Sequence, residues 1–160
     1  MNSHNHPALT SIGAWFWRWL AGIRIAEEPG EPGYGCAYAH LTLAPYAALV
    51  TDHARISAAH AKLPTSHGLV ELSWEFADGK LHLNTTLPPN TAGTVKLPSA
   101  QGRGWVELTE GGTALWRGGA SLLGEAEVAG VFAVGEADQD HVQLSIGSGR
   151  FSFVATLGEP

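Results

Sequence analysis

The feature that most constrains the fold of this chain is a pair of alternating runs within residues 68–87, joined by Asp78-Gly79. Apolar and polar side chains alternate along these runs, with Trp74, Phe76, Leu81 and Leu83 at the apolar positions. Such alternation is typical of a strand with one buried face. Because Asp-Gly favours the two-residue turn of a hairpin, the pattern predicts antiparallel strands at 68–76 and 80–87.

The rest of the chain after Cys36 consists of short apolar runs separated by turn-forming residues, and the chain has 20 glycines and 9 prolines. Strands spaced in this way indicate a mainly β fold, an antiparallel β-sandwich over residues 36–157. We predict further strands at 37–43, 92–97, 104–109, 125–134 and 141–155. A second hairpin is expected to turn at Gly147-Ser148-Gly149.

One N-terminal α-helix is expected before the sandwich. It begins at Ile12, after a cap at Thr10 or Ser11, and extends to Ile23. Its apolar side chains surround almost the whole helix axis, which predicts burial on several sides. Two prolines and three glycines then predict a linker at 26–35, so we divide the chain into a helix segment (1–25), the linker and the sandwich.

Charge and cysteine content exclude several classes of protein. The net charge is -6 and the nine Lys and Arg residues are spread singly, so no basic stripe is available for nucleic acid. Cys36 is the single cysteine and provides no internal disulfide. The apolar run at 12–23 is too short to cross a bilayer and lacks the preceding basic residues of a signal peptide. We therefore expect a cytoplasmic protein with no nucleic-acid partner and no membrane partner.

Several motifs, taken in order, resemble the C-terminal region of bacterial α-L-rhamnosidases, glycoside hydrolase family 78. The first is the helix at residues 11–23 preceded by Asn5-His6-Pro7. The others are Pro32-Gly33-Tyr34, Leu43-Ala44-Pro45, Thr65-Ser66-His67-Gly68 followed by Ser73-Trp74, residues 87–98 (LPPNTAGTVKLP) and residues 145–153 (SIGSGRFSF). The resemblance extends from residue 4 to residue 154, one helix and a whole domain.

The resemblance implies that the N-terminal helix is the last helix of an (α/α)6 catalytic barrel and that the β-sandwich domain follows it. It also bears on residues 47–63, which are rich in alanine and which propensity alone would make helical, capped by Thr51 or Asp52. The family implies a strand at 55–63. We adopt the strand because tertiary context often overrides propensity.

The resemblance also implies that this chain contains no catalytic residue. Enzymes of this type resemble inverting glycosidases, which need a carboxylic acid and a carboxylate on opposite faces of the sugar. In the family both groups precede the last barrel helix, whereas the first acidic residue of this chain is Glu27. We therefore expect no hydrolysis by the chain alone.

Two sets of residues are candidates for sugar contacts. His6 matches a family histidine that contacts the sugar or the nearby water in a complete barrel; the alternative is a solvated residue of a frayed N-terminus. His4 and His6 alone do not form a metal site, and no cofactor is expected. Trp74 is expected to fill the core between the sheets, whereas Trp105 and Trp116 are candidates for stacking on sugar rings.

Our first hypothesis is a non-catalytic C-terminal domain that packs against the catalytic barrel of a rhamnosidase-like enzyme. The alternatives are a free-standing module that binds rhamnose-containing glycans, and one half of a split enzyme that assembles with an N-terminal catalytic chain. The N-terminal helix is too apolar to stand free in water. It should fold back on the sandwich or pair with the same helix of a second copy, and we favour this self-association.

Overall fold

A computed structural model describes residues 7–26, 30, 34–46, 56–98, 104–124, 128–138 and 141–158. Helix α1 spans Pro7–Trp15 and continues as a π-helical segment, Phe16–Ala21. The strands are β1 (Ile23–Ile25), β2 (His40–Leu43), β3 (Ala58–Thr65), β4 (Gly68–Ala77), β5 (Lys80–Leu87), β6 (Ala92–Pro98), β7 (Trp105–Glu110), β8 (Thr113–Arg117), β9 (Ala120–Ser121), β10 (Val131–Asp138), β11 (His141–Ile146) and β12 (Gly149–Leu157). Among the residues that the structure describes, no helix is long and apolar enough to span a membrane.

The strands form two sheets, as a sandwich requires. The larger sheet has the order β3-β4-β5-β12-β7-β8-β9, and the smaller has the order β1-β2-β6-β11-β10. Among the described strands, every pair is antiparallel except β2 and β6, which are parallel. The described residues therefore confirm the predicted mainly β fold, and they contain a single short helix, near the N-terminus.

The core lies between the two sheets and is formed by the inward positions of the alternating strands. Leu72, Trp74, Leu83 and Phe153 come from the larger sheet, and Leu41, Val95, Leu97 and Leu144 come from the smaller one. Trp74 is only 2% exposed, as predicted for a residue between the sheets. Each fully buried Leu or Phe contributes about 1.5–3 kcal/mol relative to exposure, so this cluster is the main source of stability.

The predicted β4–β5 hairpin is present. Ala77 pairs with Lys80, and the two residues between them, Asp78 and Gly79, have φ values of 52° and 71°. A type I′ turn needs positive φ at both central positions, and Asp-Gly tolerates this at low cost. The sequence signal and the turn geometry agree.

The second predicted hairpin, at Gly147-Ser148-Gly149, is wrong. Strand β11 ends at Ile146 in the smaller sheet, whereas β12 begins at Gly149 in the larger sheet, where it pairs with Leu87. The chain therefore passes from one sheet to the other at this point. Alternation cannot separate the two cases, because both strands present one face to the same core.

Other strand predictions need correction or gain support. The strand expected at 125–134 is observed at Val131–Asp138, and β8 and β9 were not predicted. The family-based strand over the alanine-rich region is confirmed by β3 from Ala58 onward, whereas residues 47–55 lie outside the described part of the chain.

The N-terminal helix differs from its predicted bounds. It begins at Pro7 rather than Ile12, and Ile23 belongs to strand β1, where it pairs with Leu43. A proline in the first turn is compatible with a helix because its missing N–H needs no partner there. Because β1 pairs with β2, the smaller sheet begins at residue 23. The division of the chain by a linker at residues 26–35 stays a prediction.

Candidate functional site

One face of the N-terminal helical region is apolar and exposed. Ile12, Trp15, Phe16 and Trp19 recur at the spacing of a single helix face. Phe16 is 48% exposed and Trp19 is 46% exposed, and the rings of Trp15 and Phe16 meet edge to face at 5.5 Å. We call these four residues the aromatic surface. Contiguous apolar patches on a soluble protein mark interaction sites, so this surface is the leading candidate.

The opposite side of the same region is attached to the sandwich. Ala21 is buried, Leu20 packs against the core, and the indole Nε1 of Trp74 donates a 3.0 Å hydrogen bond to the carbonyl oxygen of Leu20. The π-helical segment contacts β1, β3 and β4. The helical region thus folds back on the sandwich along one side only, and its aromatic surface stays uncovered.

Gly22 fixes the angle at which the helical region leaves the sheet. Its φ of 91° is left-handed, and its N–H donates a 3.2 Å hydrogen bond to the carbonyl oxygen of Trp17. The N–H of Ala44 in turn donates a 2.8 Å hydrogen bond to the Gly22 carbonyl oxygen. A Cβ at this position would lie 2.3 Å from the Ala44 oxygen, so only glycine fits.

Arg24 provides a positive charge beside the aromatic surface. Its guanidinium carbon lies 5.0 Å from the centre of the Trp19 ring, a cation–π arrangement. The Nε atom of Arg24 is buried and has no hydrogen-bond partner among the described residues. The surface therefore combines large apolar side chains with the guanidinium of Arg24, which stacks on one of them. Arg24 cannot be singled out from the sequence, since one arginine on a short strand has no distinguishing pattern.

The residues predicted to contact sugars have different outcomes. His6 and His4 lie outside the described residues, so the role of His6 stays a prediction. Trp105 and Trp116 are buried, at 5% and 3% exposure, and both belong to the core cluster. The exposure that we expected of these two rings is wrong, because both β7 and β8 turn them inward. Their stacking on a sugar has no support in this structure.

Metal chemistry has no visible basis in the described part of the chain. There, no three His, Cys, Asp or Glu side chains lie close enough together to hold an ion. Cys36 is free and exposed.

The family described as the bacterial α-L-rhamnosidase C-terminal domain matches residues 22–112, which is more than half of the chain. The chain belongs to this family. The matched residues begin at Gly22, directly after the helical region, and include strands β1 to β7 of this rhamnosidase C-terminal domain. The family resemblance seen in the sequence is therefore confirmed.

Similar proteins are much longer than this rhamnosidase C-terminal domain. An α-L-rhamnosidase of Formosa agariphila is 33% identical over 99 residues, which are 62% of this chain and 9% of that protein. The structure of α-L-rhamnosidase from Dictyoglumus thermophilum has a TM-score of 0.68 at 27% identity and covers 98% of this chain with 14% of its own. The α-L-rhamnosidase of Streptomyces avermitilis, solved with L-rhamnose, has the same fold at 24% identity, with a TM-score of 0.61 over 96% of this chain and 12% of its own. The chain thus spans about a tenth of the Formosa relative, and these homologues carry a large further region.

Proposed function

We propose that this chain is a non-catalytic domain of an α-L-rhamnosidase-type enzyme and that its aromatic surface packs against the enzyme's catalytic region. The observation that carries the proposal is the one-sided attachment of the helical region: Leu20 faces the sandwich while Trp15, Phe16 and Trp19 face outward. The Dictyoglumus enzyme matches almost the whole of this chain, including this region, within a much longer protein. The rest of such a protein is the natural cover for the surface.

The free energy released when this aromatic surface is covered is large enough to hold two domains together. Large aromatic side chains bury about 150–250 Å² each, and the three here are roughly half exposed. At about 25 cal/mol per Å², covering the remainder contributes on the order of 6 kcal/mol, an upper estimate. A carboxylate of the catalytic region placed against Arg24 would add specificity, since a guanidinium binds carboxylates in two-pronged geometry.

A chimera tests this function. This chain replaces the matched segment of the Dictyoglumus thermophilum enzyme, and hydrolysis of a chromogenic α-L-rhamnoside and thermal stability are measured. Trp15→Asp with Trp19→Asp should lower both, because two charges would be buried at the contact. Phe132→Asp is the matched control, since Phe132 is an exposed aromatic residue on β10 and should tolerate the charge. Equal stability and activity of the two chimeras would contradict the proposal.

A second use of the same surface is self-association of the free chain. The exposed stripe of Ile12, Trp15, Phe16 and Trp19 has the spacing of a helix-pairing seam. We expect sedimentation of the purified chain to show a dimer, and the Trp15→Asp, Trp19→Asp variant to be a monomer. A monomeric parent chain would leave the catalytic region as the sole proposed partner.

A further inference from the structure

The outer face of the larger sheet carries rows of polar side chains that run across four strands. One row consists of His60, Ser73, Asn84 and Ser152, which are successive cross-strand partners on β3, β4, β5 and β12. Two further rows flank this central row. The first consists of Lys62, Glu71, Thr86 and Arg150, and the second consists of Ala58, Glu75, His82 and Val154. An antiparallel sheet with one buried face needs polar residues here, but it does not need a concave surface.

The sizes of these side chains make the face concave. Ser73 is flanked across the strands by His60 and Asn84, and along β4 by Glu71 and Glu75. A short side chain with four longer neighbours forms the floor of a depression. Two depressions, of about 310 and 350 Å³, share His60, Ser73 and Asn84 and so form one trough.

Hydrogen-bonding groups in this trough are available to a ligand. The side chains of Ser73, Asn84 and Ser152 lie next to each other in one row, and within the described chain none of them forms a hydrogen bond with another residue. Each of these side chains can both donate and accept hydrogen bonds. Three such groups spaced about 4.8 Å apart across the sheet match a ligand with repeated hydroxyl groups.

The charges of the trough favour a neutral ligand. Glu71 pairs with Lys62 at 2.7 Å, and this hydrogen bond lowers the pKa of the Glu71 carboxyl, with smaller contributions from His60 and Arg150. On the other side, Glu110 and Arg150 both line the trough, and Glu110 accepts a hydrogen bond from the Ser152 N–H at 3.3 Å. With Glu75, three carboxylates line the trough against one guanidinium, and Lys62 pairs with one of these carboxylates. This leaves no excess of positive charge to attract a phosphate.

We propose that this trough binds a neutral oligosaccharide containing L-rhamnose, with its hydroxyl groups hydrogen-bonded to Ser73, Asn84 and Ser152. The choice of a saccharide rests on the trough itself, whereas the choice of rhamnose rests on the proposed function. Rhamnose is a deoxy sugar with one methyl group, and the exposed methyl group of Ala58, at one end of the trough, provides an apolar contact for it. The domain would then hold the substrate polymer near the catalytic region.

The intact chain can be titrated with an α-linked L-rhamnose trisaccharide and, separately, with maltotriose as a size-matched sugar, while backbone amide NMR signals are recorded. The rhamnose trisaccharide should shift signals around Ser73, Asn84 and Ser152 with millimolar affinity. Shifts that are absent at millimolar sugar, or that fall elsewhere, would overturn the proposal. Equal binding of maltotriose would support a saccharide site and overturn the choice of rhamnose. Neither result bears on the chimera, so the docking function is tested separately.

Matched variants locate the binding. Asn84→Ala removes the central amide and Ser73→Gln fills the floor, and each should weaken binding at least fivefold. Lys80 is exposed and lies on the same strand as Asn84, but it does not line the trough. The Lys80→Ala variant should therefore bind like the parent chain. Parent-like binding by both Asn84→Ala and Ser73→Gln would overturn the location.

Discussion

The indole N–H of Trp74 and the carbonyl oxygen of Leu20 form a 3.0 Å hydrogen bond between strand β4 and the π-helical segment. Trp74 is buried, and its ring belongs to the core between the sheets. The last carbonyl groups of a helix have no donor within the helix, and Trp74 provides one for the carbonyl of Leu20, next to the end of the segment at Ala21. The bond therefore couples the core directly to the element that carries the aromatic surface.

Trp74→Phe should lower the free energy of unfolding by about 2 kcal/mol, because it removes this hydrogen bond and leaves unfilled volume in the core. Urea unfolding measures the change. Trp17→Phe is the control, since Trp17 lies on the exposed part of the same helical region and should change stability little. Similar stabilities of the two variants would show that the bond does not anchor the helical region.

Gly22→Ala should be destabilising by about 3 kcal/mol. The new Cβ would meet the Ala44 oxygen at 2.3 Å, and the positive φ adds strain for any residue with a side chain. Gly13→Ala is the matched control, since nothing lies within 4 Å of a Cβ built there and alanine favours the helix. Thermal unfolding of both variants measures the change in stability. An unchanged stability of Gly22→Ala would contradict the close approach of Gly22 to Ala44.

Stability should decrease when the pH is lowered through the range below about 6.5, partly because of His40. Burial lowers the pKa of the His40 imidazole, whose ring nitrogen lies 3.0 Å from the Thr94 hydroxyl. Because the pKa of His40 is lower in the folded state than in the unfolded state, protonation of this histidine favours unfolding. The neutral imidazole therefore contributes its full stabilisation above about pH 6.5, and this stabilisation is lost as the pH falls. Urea unfolding at pH 7.5 and pH 5 should show a smaller difference for His40→Gln than for the parent.

The free chain should not hydrolyse a chromogenic α-L-rhamnoside. Inverting hydrolysis needs an acid and a base on opposite sides of the sugar. The family resemblance implies that both precede the helical region, whereas the first acidic residue of this chain, Glu27, follows it. A sensitive fluorogenic assay with prolonged incubation measures this. Turnover that co-purifies with the chain and disappears in His6→Ala would show that a catalytic group had been overlooked.

Sequence patterns predicted the parts of the fold that depend on local geometry. Asp78-Gly79 specified a hairpin because its turn needs two left-handed residues, and few sequences supply them. The turn after Ile146 was assigned to the wrong partner, because the choice between sheets depends on distant pairing with Gly93 and Leu87 rather than on alternation. The fold class was therefore accessible from sequence, whereas the strand order was not.

The candidate surfaces were less accessible than the fold. The apolar helix was recognised as unable to stand free, but its one exposed face depends on the anchor at Leu20. The two surface tryptophans expected in the sandwich are core residues, and the trough is formed by serines that have no motif of their own. Its depth comes from register, which places Ser73 beside His60 and Asn84.

The parallel pairing of β2 with β6 has a consequence for how the protein folds. His40 pairs with Ala92, and the chain between them includes β3, β4 and β5 of the other sheet. Those three strands pair through short turns and can form early, since closing short loops costs little entropy. The β2–β6 contact must wait until the ends of this long segment meet, and contacts of this kind slow folding. We therefore expect the β2–β6 contact to form late in refolding, together with the β5–β12 contact of the larger sheet, where Leu87 pairs with Gly149 across a still longer segment.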